Sequence, residues 1–161
     1  MIMEECLYQS PIGPLAIAED GGAISGIRFG WLNEGAPPMP ACLPATPLLK
    51  SAAAQLDEYF AGGRKAFSLP LGLRGAAFSL SVWSALMEIP YGETRSYSEV
   101  ASMVGRPGAA RAVGMANCRN PIPIIVPCHR VIGADGSLTG YAGGLATKRY
   151  LLELEGCGGF C

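Results

Sequence analysis

Histidine is nearly absent from this sequence, because His129 is the only one among 161 residues. No Cys-x-x-Cys pair accompanies it, so the standard zinc ligand sets are missing and we expect no metal site. Charge is also sparse, with 12 Lys and Arg against 13 Asp and Glu, unlike the strongly basic domains that bind nucleic acid tightly. No apolar run approaches the ~20 residues of a membrane helix, so we expect no membrane association.

The marks of a secreted protein are missing as well. Residues 1–10 carry Glu4 and Glu5 and no basic segment, which is unlike a signal peptide. The cysteines are scattered and suggest no disulfide framework, and thiols in the cytosol are usually reduced. We therefore expect a cytoplasmic protein with reduced cysteines, at positions 6, 42, 118, 128, 157 and 161.

The first half of the chain combines strand and helix signals. Two apolar pieces, 15–18 and 23–27, flank a Gly21-Gly22 turn and predict an antiparallel hairpin. Apolar residues at helical spacing predict a helix over 48–60, and 66–73 looks like a further strand. The sequence predicts a small N-terminal α/β domain with an antiparallel sheet over residues 1–75.

The second half, residues 76–161, is predicted to be a mainly helical domain, which makes the whole chain α+β. A first helix is expected over 78–89, before Pro90. Ser96 and Glu99 have the spacing of a capping box in front of a helix over 97–104. A glycine-containing turn and a helix over 109–118 follow, which together predict a helix-turn-helix.

The second helix of this pair carries mostly small side chains. Small residues, among them Ala110 and Gly114, surround Arg111, its one long charged side chain. Such a helix can press its backbone against DNA, although close helix–helix packing explains the composition equally well. The basic residues near the helix pair are compatible with modest, salt-sensitive DNA binding; they are Arg95, Arg106, Arg111, Arg119 and Arg130.

Cys128 and His129 stand together after the apolar run 122–127. A thiol beside an imidazole is the minimum equipment for an activated sulfur nucleophile. The dipeptide alone does not decide the matter, because buried cysteines are usually inert. The surrounding chain must supply the rest of the argument.

Five segments in order resemble the O6-alkylguanine-DNA alkyltransferases, also called methylated-DNA–protein-cysteine methyltransferases. They share order and spacing with that family and cover most of residues 78–156. The segments are Phe78 with Val82-Trp83, 89–97, 110–114, 120–131, and 141–145 with Lys148, Leu151-Leu152 and Glu155-Gly156.

The resemblance implies a single-turnover repair reaction without a cofactor. An O6-alkylguanine in double-stranded DNA is flipped into a pocket, and Cys128 takes the alkyl group. His129 would act as base through a water, Glu155 would orient His129 as the third member of a triad, and Asn120 would support the turn before the cysteine. The protein would act as a monomer.

The remaining site residues implied by the resemblance contact the substrate. Tyr97 would donate a hydrogen bond to the flipped base, and Arg111 would fill the gap in the base stack. The carbonyls of Cys128 and Val131 would accept from the guanine amino group. Tyr141 would wall the pocket, and Ala142, where serine is common, would contribute its backbone N–H. The DNA-facing helix would contribute Ala110 and Gly114.

Other functions stay open at this stage. A non-catalytic binder of alkylated DNA would lack the cysteine at position 128. A cysteine hydrolase would need an oxyanion hole, which the sequence does not indicate. A regulatory helix-turn-helix protein would bind DNA without reacting. Asn117 stands where some relatives have an apolar pocket residue, which leaves the pocket size open.

Overall fold

The computed structural model describes residues 3–31 and 37–157, in an α+β fold with a small antiparallel sheet followed by a mainly helical part. The chain divides into two compact units, Met1–Leu73 and Arg74–Cys161. Within the described residues, every helix is too short or too polar to cross a membrane. Five cysteines are free thiols, and Cys161 lies outside the described residues.

The first unit packs one helix on a three-stranded antiparallel sheet. Strands β1 (Glu4–Ser10), β2 (Gly13–Asp20) and β3 (Ala23–Phe29) lie in sequence order. Helix α1 (Pro47–Phe60) begins at Thr46, whose hydroxyl accepts from the backbone N–H of Leu49. The predicted hairpin and helix are therefore present.

The strand predicted over 66–73 was wrong. Only one isolated bridge joins this segment to the sheet, between Leu71 and Ile24, with Ile24 N–H donating to the Pro70 carbonyl at 2.8 Å. Gly72 N–H donates to the Ile24 carbonyl at 2.8 Å on the other side of this bridge. Pro70 has no backbone N–H to donate to a sheet ladder, so the pairing does not extend toward residue 66.

The described part of the second unit contains four α-helices, one 3-10 turn and a two-stranded parallel pair. Helix α2 (Ala77–Leu86) ends before the predicted Ile89, because residues 87–89 form a turn ahead of Pro90. Helices α3 (Tyr97–Met103), α4 (Ala110–Cys118) and α5 (Leu145–Leu154) follow. Strand β4 (Arg95–Ser96) pairs in parallel with β5 (Val131–Ile132).

The capping box predicted at the start of α3 is present. Ser96 Oγ accepts from the backbone N–H of Glu99 at 3.1 Å, and Glu99 Oε1 accepts from the backbone N–H of Ser96 at 3.0 Å. The turn to α4 covers residues 104–109 and is longer than predicted, because α3 ends at Met103 and α4 begins at Ala110.

Candidate active site

The loop between α4 and β5 is held in shape by Asn120. Its Nδ2 donates to the carbonyl of Val126 at 2.8 Å, and its Oδ1 accepts from the backbone N–H of Ile122 at 2.9 Å. Both hydrogen bonds are buried, so water does not compete for them and they restrict the motion of the loop. The Asn120 side chain therefore holds two points of the loop before Cys128, the segment that the sequence analysis expected it to support.

The loop delivers Cys128 to the start of a 3-10 turn, Cys128–Arg130, directly before β5. Cys128 is buried, and its neighbour β5 is anchored by pairing Val131 with Arg95. Within the loop Ile124 takes φ +74°, a left-handed conformation that a β-branched residue rarely adopts. The backbone conformation before and after Cys128 is therefore closely constrained.

The Cys128 thiol is protonated in the resting protein. Burial raises the pKa of this thiol from 9.0 to about 11, while a hydrogen bond from the Asn120 side chain and the charge of Lys148 lower the pKa in part. A nucleophilic thiolate therefore needs a base that removes the proton when substrate is present.

His129 and Glu155 form a buried pair. Nε2 of His129 lies 2.7 Å from Oε2 of Glu155, and neither side chain is exposed. An ionised carboxylate accepts hydrogen bonds only, so Nε2 carries the proton and Nδ1 keeps its lone pair. Nδ1 is buried and has no hydrogen-bond partner among the described residues. Burial lowers the pKa of His129, against the opposing effect of Glu155, which keeps the imidazole neutral and able to accept a proton.

Arg130 completes the charge balance at Glu155. Its Nε donates to Oε1 at 2.8 Å, a terminal nitrogen donates to Oε2 at 3.1 Å, and the other donates to the Ile89 carbonyl at 2.6 Å. Arg130 is buried, so this member of the basic group named in the sequence analysis forms internal hydrogen bonds. Arg130 pairs with Glu155 because the parallel N–H groups of a guanidinium match the two oxygens of a carboxylate.

Gly92 allows the backbone to approach Glu155 closely. It takes φ +83°, and a Cβ added there would lie 3.2 Å from the Glu155 carbonyl oxygen. Its backbone N–H points to Oε1 of Glu155 at 3.5 Å. The turn after Pro90 thus packs against the carboxylate that holds His129.

Lys148 of α5 is a buried cation to which the sequence analysis assigned no role. Its Nζ donates to the carbonyls of Val131 at 2.6 Å and Thr139 at 2.9 Å, with Gly140 at 3.4 Å. Burial lowers the pKa of Lys148 to about 8. This one ammonium group ties β5 to the loop around residue 140.

Three of the predicted DNA-contacting residues of α3 and α4 line one open groove of about 410 Å³. Tyr97, Arg111 and Gly114 lie there together, and the ring of Tyr97 packs over Gly114. The Tyr97 hydroxyl donates to the Thr139 carbonyl at 3.0 Å, a contact that the sequence did not predict. The other lining residues are Met115, Cys118, Arg119, Thr139 and Gly140.

The structure does not gather all the predicted substrate residues into this groove. Tyr141 is half-buried and Ala142 is exposed, and neither lines the groove. Ala110 is half-buried at the first turn of α4. Among the described residues no cluster of three His, Cys, Asp or Glu side chains has the arrangement of a metal site.

Each of the two units of the chain matches its own family model. Residues 77–157 match the family model "6-O-methylguanine DNA methyltransferase, DNA binding domain", and residues 3–73 match "6-O-methylguanine DNA methyltransferase, ribonuclease-like domain".

Curated relatives match over nearly the full length. The methylated-DNA–protein-cysteine methyltransferase of Methanosarcina acetivorans is 49% identical over 154 residues, 96% of this chain and 99% of the relative. The constitutive enzyme of Bacillus subtilis is 48% identical over 151 residues, covering 91% and 92% of the two chains.

A solved structure, Mycobacterium tuberculosis OGT in complex with DNA, superposes with a TM-score of 0.84 at 51% identity, covering 94% of this chain and 91% of that one. Both halves of the chain, its length and its fold agree with these relatives. This protein therefore belongs to the 6-O-methylguanine DNA methyltransferase family.

Proposed function

We propose that this protein repairs DNA by transferring an alkyl group from the 6-oxygen of guanine to the sulfur of Cys128, once per molecule. The observation that carries the proposal is the buried His129–Glu155 pair next to Cys128, with the His129 lone pair on the nitrogen that Glu155 does not use. The relatives from Methanosarcina acetivorans and Bacillus subtilis are named for the same chemistry.

The reaction begins with removal of the thiol proton. His129 Nδ1 accepts that proton through a water, and Glu155 stabilises the imidazolium that forms. The Cys128 sulfur then attacks the alkyl carbon in line, forming a C–S bond as the C–O bond breaks. The electron pair of the broken bond leaves with guanine, which takes up the proton and becomes ordinary guanine.

The product is a thioether, whose sulfur is a poor leaving group at neutral pH, so Cys128 is not regenerated. Asn120 and Lys148 assist the attack, because both stabilise negative charge on the sulfur. The high resting pKa of the buried thiol limits side reactions with solvent species until a substrate is present.

Base flipping brings the alkylated guanine to this site. The small residues Ala110 and Gly114 let α4 approach the duplex, and Arg111 enters the space that the base leaves in the stack. Tyr97 contacts the flipped base from its position over Gly114. Tyr141, Val131 and the backbone of Ala142 enclose the base from the other side.

The partner in this account is double-stranded DNA that contains O6-alkylguanine. Residues 76–161 form the DNA-binding and alkyltransferase domain, and residues 1–75 form the N-terminal α/β domain. A monomer suffices, because one chain carries Cys128, His129 and Glu155. A reduced thiol is required for attack, which favours the cytoplasm.

The test separates transfer from mere binding. A duplex with one O6-methylguanine is mixed with the protein, digested to nucleosides and analysed for restored guanine. Restoration by the wild type and none by Cys128→Ala, with binding of the alkylated duplex retained, is the expected result. Binding without restoration by the wild type would make the protein a non-catalytic binder instead.

A further inference from the structure

The first unit contains two neighbouring cysteines, which the mechanism above does not use. Cys6 lies in the edge strand β1 and is fully buried, whereas Cys42 lies in the segment 37–46 before α1 and is exposed. The backbone N–H of Leu7 donates to the Cys42 carbonyl at 2.8 Å, and the Cys42 thiol donates to the Glu5 carbonyl at 3.2 Å. These two contacts flank Cys6, so Cys42 lies directly beside it.

The contacts of Cys42 resemble one step of a parallel β-ladder. In such a ladder, a residue bonds to the two peptide groups that flank its partner, and the strands lie about 4.8 Å apart. Here the Cys42 thiol takes the place of the usual N–H donor. A disulfide needs its Cα atoms about 4.4–6.8 Å apart, so this spacing suits a bond to Cys6. The bond requires the exposed Cys42 side chain to rotate to another rotamer, away from the Glu5 carbonyl.

Arg28 holds the start of the segment 37–46 close to β1. Two of its nitrogens donate to the Glu5 carboxylate, each at 3.0 Å. Its terminal nitrogens also donate to the carbonyls of Pro37 at 2.9 Å and Pro38 at 3.0 Å. The segment is therefore held near Cys6 before any covalent bond forms. This proximity raises the effective concentration of one thiol at the other, which favours a bond within the chain.

The two thiols differ in how a reagent in solution reaches them. Burial, and after it the charge of Cys42, raise the pKa of Cys6 from 9.0 to about 11. Cys6 is therefore protonated as well as shielded from solvent, and such a thiol is unreactive toward reagents outside. Cys42 is exposed, so it is the thiol that meets a reagent first.

We propose that Cys6 and Cys42 are a redox-active pair, which low-molecular-weight disulfides such as oxidised glutathione convert to an intramolecular disulfide. The Cys42 thiolate attacks the small disulfide, forms a mixed disulfide and releases one small thiolate, which takes up the proton that Cys42 lost. The Cys6 sulfur then attacks the Cys42 sulfur, and the second small thiol leaves with the Cys6 proton. Two protein thiols are oxidised, and one small disulfide is reduced to two thiols.

The bond fastens the segment 37–46 to β1. Because it also closes a loop between residues 6 and 42 in the unfolded chain, it stabilises the first unit. Small thiols reverse it by the same exchange, as with the transient disulfides of cytosolic proteins. Cys128 takes no part in these steps, so disulfide formation and alkyl transfer are tested separately.

Peptide mapping tests the pairing. The full-length protein is incubated with excess oxidised glutathione, its free thiols are blocked with iodoacetamide, and it is denatured and digested with trypsin without reduction. Cleavage after Arg28 and Lys50 leaves one cysteine in each of the peptides 1–28 and 29–50. We expect these peptides to be joined, two hydrogens lighter than their sum, and separated by dithiothreitol. Iodoacetamide label on both cysteines, or glutathione retained on Cys42 of the wild type, would overturn the proposal.

Single variants separate the two steps. Cys6→Ser should retain glutathione on Cys42, because no second thiol displaces it. Cys42→Ser should leave Cys6 as a free thiol, because the reagent does not reach it. Cys118→Ser, a change at another exposed cysteine, is the matched control and should still give the joined peptides. Glutathione on Cys6 in the Cys42→Ser variant would contradict the order of the steps.

Thermal unfolding measures what the bond does to the fold. The melting temperature of the first unit in the oxidised wild type should exceed that in the reduced wild type by about 5–15 °C. Oxidised and reduced Cys42→Ser should melt at the same temperature. Joined peptides together with an unchanged melting temperature would show that the bond does not stabilise the first unit, and would overturn that part of the proposal.

Discussion

Nε2 of His129 lies 2.7 Å from Oε2 of Glu155, at a place where neither side chain has exposed surface. The same carboxylate also receives Arg130. One negative charge therefore balances a permanent cation and orients a neutral imidazole. Its removal should affect both stability and alkyl transfer, which makes Glu155 the most informative position after the cysteine.

Glu155→Gln is expected to slow alkyl transfer by about 10²–10⁴-fold, because a neutral amide stabilises the imidazolium poorly. It should also lower the free energy of unfolding by about 3 kcal/mol, because Arg130 stays buried without its counterion. Single-turnover kinetics and thermal unfolding measure the two effects. Glu153→Gln, an exposed change in the last turn of α5 two residues before Glu155, is the matched control and should alter neither.

The pH dependence of transfer should report His129. Burial lowers the pKa of His129 below its ordinary 6.5, so the base stays neutral through pH 7 and the rate should fall only on acidification below about 6.5. The free energy of unfolding should also fall on acidification. Below pH 6.5 the unfolded chain binds a proton at His129 more readily than the folded chain does, so acid destabilises the fold. Rates of wild type and His129→Gln from pH 5 to 8.5 test this. A rate that falls already between pH 8 and 7 would show a charged resting His129 and contradict the account.

The sequence was informative where the interaction is local. The capping box of Ser96 and Glu99 lies within one turn, so its spacing alone predicts its geometry. Helix positions followed from apolar spacing, whereas the ends of α2 and α3 did not, because turns at 87–89 and 104–109 compete with the last helical residues. The strand predicted over 66–73 is reduced to one bridge for a different reason, because Pro70 lacks a backbone N–H.

The long-range polar contacts of Arg130 and Lys148 were not predicted from the sequence. Arg130 and Lys148 belong to residue types that are almost always exposed, and their partners are distant along the chain. Arg130 meets Glu155, 25 residues away, and Lys148 meets the Val131 carbonyl, 17 residues away. Only the fold brings these groups together.

Arg111→Ala should separate flipping from chemistry. Arg111 is exposed in the groove of α4, away from the His129–Glu155 pair. Flipping costs a few kcal/mol, so repair of duplex DNA should slow by roughly ten- to a thousandfold. Reaction with free O6-alkylguanine base, which needs no extrusion, should slow far less. Equal slowing of both reactions would make Arg111 a structural residue of the pocket.

Lys148→Met should loosen the loop around residue 140. Three carbonyls lose the hydrogen bond from Nζ, so the free energy of unfolding should fall by about 1–3 kcal/mol. The pKa of Lys148 is about 8 in the fold against an ordinary 10.5. Between these values the unfolded chain binds more protons, so this lysine makes stability rise with pH there.

Thermal unfolding of the Lys148→Met variant should lack that rise between pH 8 and 10.5. Lys50→Met, a change at an exposed lysine of α1, should keep both the rise and the stability. An unchanged melting temperature in Lys148→Met would show that the three carbonyl contacts contribute nothing to stability.

The most direct test of the central claim is the intact mass of the protein after reaction with excess duplex that carries O6-methylguanine, followed by peptide mapping. The account predicts a gain of one methyl group per chain, located on Cys128, with the reaction stopping at one equivalent and needing no added cofactor. A methyl group on another cysteine, continued turnover, or no gain in mass would contradict it.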